Sequence, residues 1–174
     1  VDWNIAQDNL LFYIFFQNPS ISEFSELRLI LEPPIVEIAT YRISDSDLYK
    51  LEKNLDETRR TMEKDNLDNN YDIYELDIQF HQEIAAISNN HLVTFIIGSM
   101  QNALVNIKKL LQPDIAFSRQ VYEAHLNIFK ALKDQDAEKA KTEMKNHICE
   151  VEKGLMELTQ KNADTPFSHD SNVF

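Results

Sequence analysis

Three histidines and one aspartate stand where helices ordinarily bury leucine. Asp77 and His81 are four apart in LDIQFHQEIAAI, which puts them on one helix face a turn apart, together with Ile73, Phe80, Ile84 and Ala85. His125, in VYEAHLNIFKAL, lines up with Val121, Ile128 and Leu132. His147, in AKTEMKNHICEVEKGL, lines up with Ala140, Met144, Val151 and Leu155. A buried polar side chain without a partner costs roughly 1–3 kcal/mol. Four such groups on three helices can satisfy one another by converging on a metal ion. D-x3-H alone is usually a side-chain hydrogen bond; the two further inward histidines turn it toward a metal. Imidazole and carboxylate without thiolate suit a divalent transition metal, zinc first, with nickel, manganese or iron as alternatives. Coordination requires neutral imidazole, so metal binding is expected to weaken below about pH 6.

Arg28 is the second informative residue. In SEFSELRLILEPP it follows Phe24 by four and precedes Leu31 and Ile35, so it lies on or beside an apolar stripe. Either it snorkels to solvent or pairs with Glu32, or its guanidinium faces a pocket and awaits a carboxylate to bind through two parallel hydrogen bonds. Tyr74, near the ligand face, and Asn90, at a helix start, join Arg28 as candidate effector contacts. Cys149, two residues past His147, points away from that face and reads as a small core residue. His91 and His169 are expected at a helix start and in the tail, without a ligand role.

The elements that must position these groups are helical nearly throughout. The pattern predicts helices over about 7–17, 20–42, 44–64, 71–88, 91–112, 115–133 and 136–161. Pro33 and Pro34 should kink or break the second, since each removes a backbone donor. Ser44 with Asp47 three later reads as a capping box opening the third. Residues 65–70 read as a loop, Asn89 as a left-handed helix stop, Asn90 and Asp136 as N-caps, and Pro113 as a terminator. No strand pattern competes, so the fold class is all-α. Residues 1–161 form the expected domain and 162–174 have tail composition.

At 174 residues and 43% hydrophobic the chain suits one well-buried core. No apolar run approaches the ~20 residues of a membrane span, since LLFYIFF at 10–16 is too short. One cysteine excludes an internal disulfide and, with no signal-peptide pattern, fits a cytoplasmic setting. A net charge of −12 argues against these residues gripping nucleic acid by themselves, because phosphate contact needs clustered Lys and Arg. The lysines are instead spread along polar helix faces. Two glycines leave no room for a glycine-rich phosphate loop, which excludes a nucleotide enzyme.

Assembled in order, these residues resemble the C-terminal effector-binding domain (FCD type) of GntR transcription regulators of the FadR branch. Trp3 and the helix after it resemble the segment that opens this domain. Glu26-Leu27-Arg28 with Glu32-Pro33 matches E-x-R-x-x-x-E-P, with residues 37–42 in the place of its alanine-rich continuation. Asp77, Phe80 and His81 match D-x-x-F-H, and residues 88–92 resemble the S-G-N-x-L turn, with Asn89 where glycine is usual. His125 with Ile128 resembles H-x-x-I, and Asp136-Ala137, Ala140, Met144 and His147 match the closing D-A-x-x-A-x-x-x-M-x-x-H pattern. The resemblance covers about residues 3–155. It implies an antiparallel bundle of six or seven helices with an internal metal and effector pocket, and a homodimer. It further implies a winged helix-turn-helix domain N-terminal to these 174 residues and not contained in them, through which alone DNA would be bound.

Three functions are then to be weighed. In the first, a metal-assisted pocket senses a small organic acid (a sugar acid, hydroxy acid or dicarboxylate) and the domain is no enzyme. The second is a metalloenzyme acting on a small carboxylate. It would need a separate base, and Glu83, the nearest carboxylate, lies off the ligand face. The third is a dimerisation module with a vestigial polar cluster.

Overall fold

Ser20 opens the first described helix with a reciprocal cap. Its hydroxyl accepts the Glu23 backbone N–H at 3.2 Å, while the Glu23 carboxylate accepts the Ser20 N–H at 2.7 Å. The computed structural model describes residues 19–63 and 71–163. Six helices follow in order: α1 Ile21–Thr40, α2 Asp45–Met62, α3 Tyr71–Ile87, α4 His91–Leu111, α5 Ile115–Lys133 and α6 Ala137–Ala163. The helix expected over 7–17, the loop over 65–70 and the tail lie outside the described residues, as does Trp3.

The boundaries follow local chemistry. Ser44 and Asp47 form the expected capping box at α2, and Asn90 caps α4 through the N–H groups of Leu92 and Val93. Asp114 caps α5, and Asp136 accepts the Lys139 N–H at 3.0 Å at the start of α6. Asn89 is left-handed at φ 52°, as its place after α3 required. Gln112 and Gln135 are left-handed as well, at φ 47° and 54°.

Of the kink or break expected at Pro33 and Pro34, the break does not occur; α1 runs through both. Each fits a helical φ but removes one backbone bond, at about 3 kcal/mol per residue. That cost is met by burial: Phe24, Ile35, Val36 and Ala39 are all inside, at roughly 1.5–3 kcal/mol for each large side chain. α1 packs most extensively on α6, which also packs on α5; α3 packs on α4 and on α2, and α2 on α5. Phe117 of α5 lies directly over Gly154 of α6, where any β-carbon would come within 2.6 Å of the ring. Arg42 donates to the Ser88 carbonyl and ties the end of α1 to the end of α3.

The main core joins Phe24, Val36, Leu51, Phe80, Ile84, Ile128, Leu132, Met144 and Ile148 from α1, α2, α3, α5 and α6. Cys149 is not in it; the residue is exposed. His147 and Ile148 turn inward, and the next step around the helix faces solvent. Among the described residues no helix is long and apolar enough to cross a membrane.

Candidate metal and effector site

α3 contributes Asp77 and His81, α5 His125 and α6 His147, and all four are buried. Their ligating atoms lie within 4.8 Å of one another. His81 Nε2 is 3.2 Å from His147 Nε2 and 3.3 Å from His125 Nε2. Two imidazole nitrogens each ~2.0–2.1 Å from a tetrahedral zinc are ~3.4 Å apart, so this spacing fits a shared ion. Asp77 Oδ1 is 3.5 Å from His125 Nε2 and has no hydrogen-bond partner, which leaves an acceptor-only oxygen facing the imidazoles. The donor set, nitrogen and oxygen without sulfur, suits a borderline divalent ion.

A second layer orients these groups. Glu32 Oε2 lies 2.6 Å from His81 Nδ1, a carboxylate on the far side of the ring from the Nε2 that faces the other imidazoles. Phe80 stacks on His125 with ring centroids 4.1 Å apart and planes 11° from parallel, fixing that ring. Lys108 of α4 places Nζ 2.6 Å from Asp77 Oδ2.

Arg28 combines the two readings left open by the sequence. It is 2% exposed, so it does not snorkel. Its Nε pairs with Glu32 Oε1 at 2.6 Å, and its Nη2 reaches to 3.3 Å from His81 Nε2 and 3.5 Å from His147 Nε2. Each Nε2 has one lone pair, which serves either a guanidinium N–H or an ion. Gln101 of α4 donates to Glu32 Oε1 at 3.0 Å. A carboxylate only accepts, which fixes that amide's orientation.

The electrostatics follow from burial and pairing. Burial would raise the Glu32 carboxyl, but Arg28 and then His81 outweigh it and hold it at about 2. Burial likewise opposes ionised Asp77, yet Lys108, His125 and His81 hold its carboxyl far below the usual carboxylate range. Burial pushes His125 down to about 3 against the pull of Asp77, and pushes His147 well below its ordinary value of 6.5. These two rings therefore stay neutral in the fold well below pH 6. The unfolded chain protonates near 6.5, and it is the fold itself that loses stability as pH drops from about 6.5 toward 3.

The other candidates sit elsewhere. Asn90 is exposed, and its Oδ1 accepts the N–H groups of Leu92 and Val93. Tyr74 is buried with Ile78 and Val105, its hydroxyl donating to the Pro113 carbonyl at 3.4 Å. Of the three candidate effector contacts, Arg28 is the one with a hydrogen-bonding atom beside the ligating nitrogens among the described contacts. His91 is exposed at the start of α4. Glu83 lines a surface cleft with Arg42, Asp47 and Lys50 and supplies no base to the ligand face.

Sequence reasoning missed Glu32, Gln101 and Lys108 as site residues. Lys108 in particular does not lie on a polar face: it is 2% exposed. The signal was the stripe Ile97, Gln101, Leu104, Lys108, spaced four, three and four, which places a lysine on the inward side of α4.

Residues 23–149 match the FCD domain family. The chain is 27% identical over 140 residues to the HTH-type transcriptional repressor RspR of Escherichia coli K12, a match covering 80% of this chain and 60% of the relative. It is 27% identical over 166 residues to the galactonate operon transcriptional repressor of the same strain, covering 90% and 68%. A solved Streptococcus agalactiae GntR structure superposes with a TM-score of 0.65 at 28% identity, over 76% of this chain and 58% of that one. The chain thus spans about three fifths of the length of RspR. With its all-helical architecture and a match over most of its length, the chain belongs to the FCD domain family, the effector-domain type of GntR regulators, and its curated relatives are transcriptional regulators.

Proposed function

We propose that these residues form the sensor domain of a DNA-binding regulator. They bind one divalent transition metal, zinc first, through Asp77, His81, His125 and His147, and a small organic acid beside it. The single observation that supports this most is the convergence of four buried ligating atoms with a buried guanidinium at their edge. When bound, the ion supplies a Lewis-acidic anchor for a carboxylate or hydroxyl oxygen. Arg28, held through Nε by Glu32, offers its remaining N–H groups as a fork for the acid. The relative named for a galactonate operon favours a sugar acid within the wider class of hydroxy acids and dicarboxylates. The acid biases a homodimer whose DNA-reading domain lies outside these residues. A coupling of about 1–3 kcal/mol would change DNA affinity 5- to 150-fold.

Arg28→Lys tests the acid half of this reading. Lysine keeps the charge and loses the fork, so acid affinity should fall roughly tenfold or more, from ~1.5–3 kcal/mol for a charged hydrogen bond. Metal content should stay the same, because Arg28 is not a ligand. Calorimetric titration of both proteins with a panel of sugar acids, hydroxy acids and dicarboxylates reads the difference. Equal affinities would remove Arg28 from the site and leave it as the counter-ion of Glu32.

A further inference from the structure

Lys108 is a residue that the sensing reading does not use. Buried lysines are rare unless paired, and this one is 2% exposed with Nζ 2.6 Å from Asp77 Oδ2. The other oxygen of the same carboxylate, Oδ1, has no hydrogen-bond partner and lies 3.5 Å from His125 Nε2. The two oxygens of Asp77 therefore have different fates: one is bound by an ammonium group, and one is left for the ion that the histidines would share.

The charges around the site sharpen this. Arg28 is matched by Glu32 and Lys108 by Asp77, so the buried side chains carry no net charge once coordinating imidazoles are counted as neutral. A divalent ion then enters with both of its charges uncompensated and shares its only anionic ligand with an ammonium. Like charges that meet on one carboxylate in a poorly screened interior repel strongly.

We propose that Lys108 is a positioning residue that presents Asp77 to the metal through one oxygen and weakens the metal's hold, so that the ion is exchangeable rather than a permanent structural part. This rests on the reading of Asp77, His81, His125 and His147 as a metal site. Its consequence is a domain whose metal occupancy follows supply.

The test is zinc affinity and zinc release in the whole chain, measured by competition with a chromophoric chelator, with helicity checked by circular dichroism. Lys108→Met should bind zinc at least tenfold more tightly than wild type and release it correspondingly more slowly. Lys108→Arg, which keeps the charge, should stay within about threefold of wild type. A merely structural lysine gives the opposite sign, since losing it would loosen Asp77 and weaken binding. Equal or weaker zinc binding by a folded Lys108→Met, or equal tightening by Lys108→Arg, overturns the proposal while leaving the metal site standing. Should Lys108→Met lose its helicity, Lys108→Gln takes its place, and loss of helicity in both neutral variants would show a structural role and overturn the proposal. A wild-type chain that takes up no zinc while Lys108→Met also takes up none overturns both this and the metal reading.

Discussion

Replacing His125 or His147 with alanine is expected to abolish stoichiometric metal while leaving the helical content largely intact. Each imidazole supplies one of four ligating atoms that lie within 4.8 Å, and removing one leaves at most three. The fold does not depend on either ring for its core: Ile128 and Leu132 beside His125, and Met144 and Ile148 beside His147, stay buried. Each substitution also removes a ring whose protonation is opposed by burial, so the loss of a polar group from an apolar stripe offsets part of the cavity cost. Elemental analysis of the purified variants beside wild type reads the effect. Unchanged metal content in both variants would sink the assignment of the four ligands.

The second large effect is on stability. Glu32→Gln removes the charge that accepts from Arg28 at 2.6 Å and from Gln101 at 3.0 Å, and that lies 2.6 Å from His81 Nδ1. It leaves a guanidinium buried and uncompensated, which costs about 3–5 kcal/mol. At roughly 2–4 °C per kcal/mol for a domain of this size, Tm should fall by on the order of 10 °C. The sign with pH is fixed by the depressed carboxyl. Glu32 is held at about 2 against an ordinary 4.5, so its stabilisation is complete above about 4.5 and is lost as pH falls toward 2. Wild type and variant should therefore differ most at neutral pH and converge in acid. A melting difference under about 2 °C at neutral pH would mean that Arg28 finds another partner and that Glu32 is not its counter-ion.

The helices were legible because their ends are written locally. Ser44 with Asp47, Asn89 before Asn90, and Asp136 each carry their signal within three residues, and the structure places each as that signal requires. The four ligand candidates were legible for a related reason: one or two polar residues on an apolar stripe stand out from their own helix. The misreadings share a different cause. Pro33 and Pro34 left a break open beside a kink because the burial that holds α1 together comes from distant α6. Lys108 read as a surface residue because its partner is 31 positions away, and nothing within α4 announces Asp77. Cys149 was assigned inside from residue type alone, yet its angular place on α6, beside inward His147 and Ile148, puts it in solvent. Asn90 was legible as a cap, and its one acceptor oxygen is taken up by that cap. Local patterns gave the elements and the polar outliers; pairings between helices set the charges of the site.

The central claim is that metal and acid share one buried site. The most direct measurement is calorimetric titration of the same acid panel into zinc-loaded protein and into protein stripped with a chelator and dialysed free of it. At least one acid should bind the loaded protein measurably and bind the stripped protein at least tenfold more weakly, because the acid's anchor oxygen has lost its partner and Arg28 alone remains. Equal acid affinity with and without zinc, at one zinc per chain in the loaded sample, would contradict the account by placing the acid away from Asp77, His81, His125 and His147.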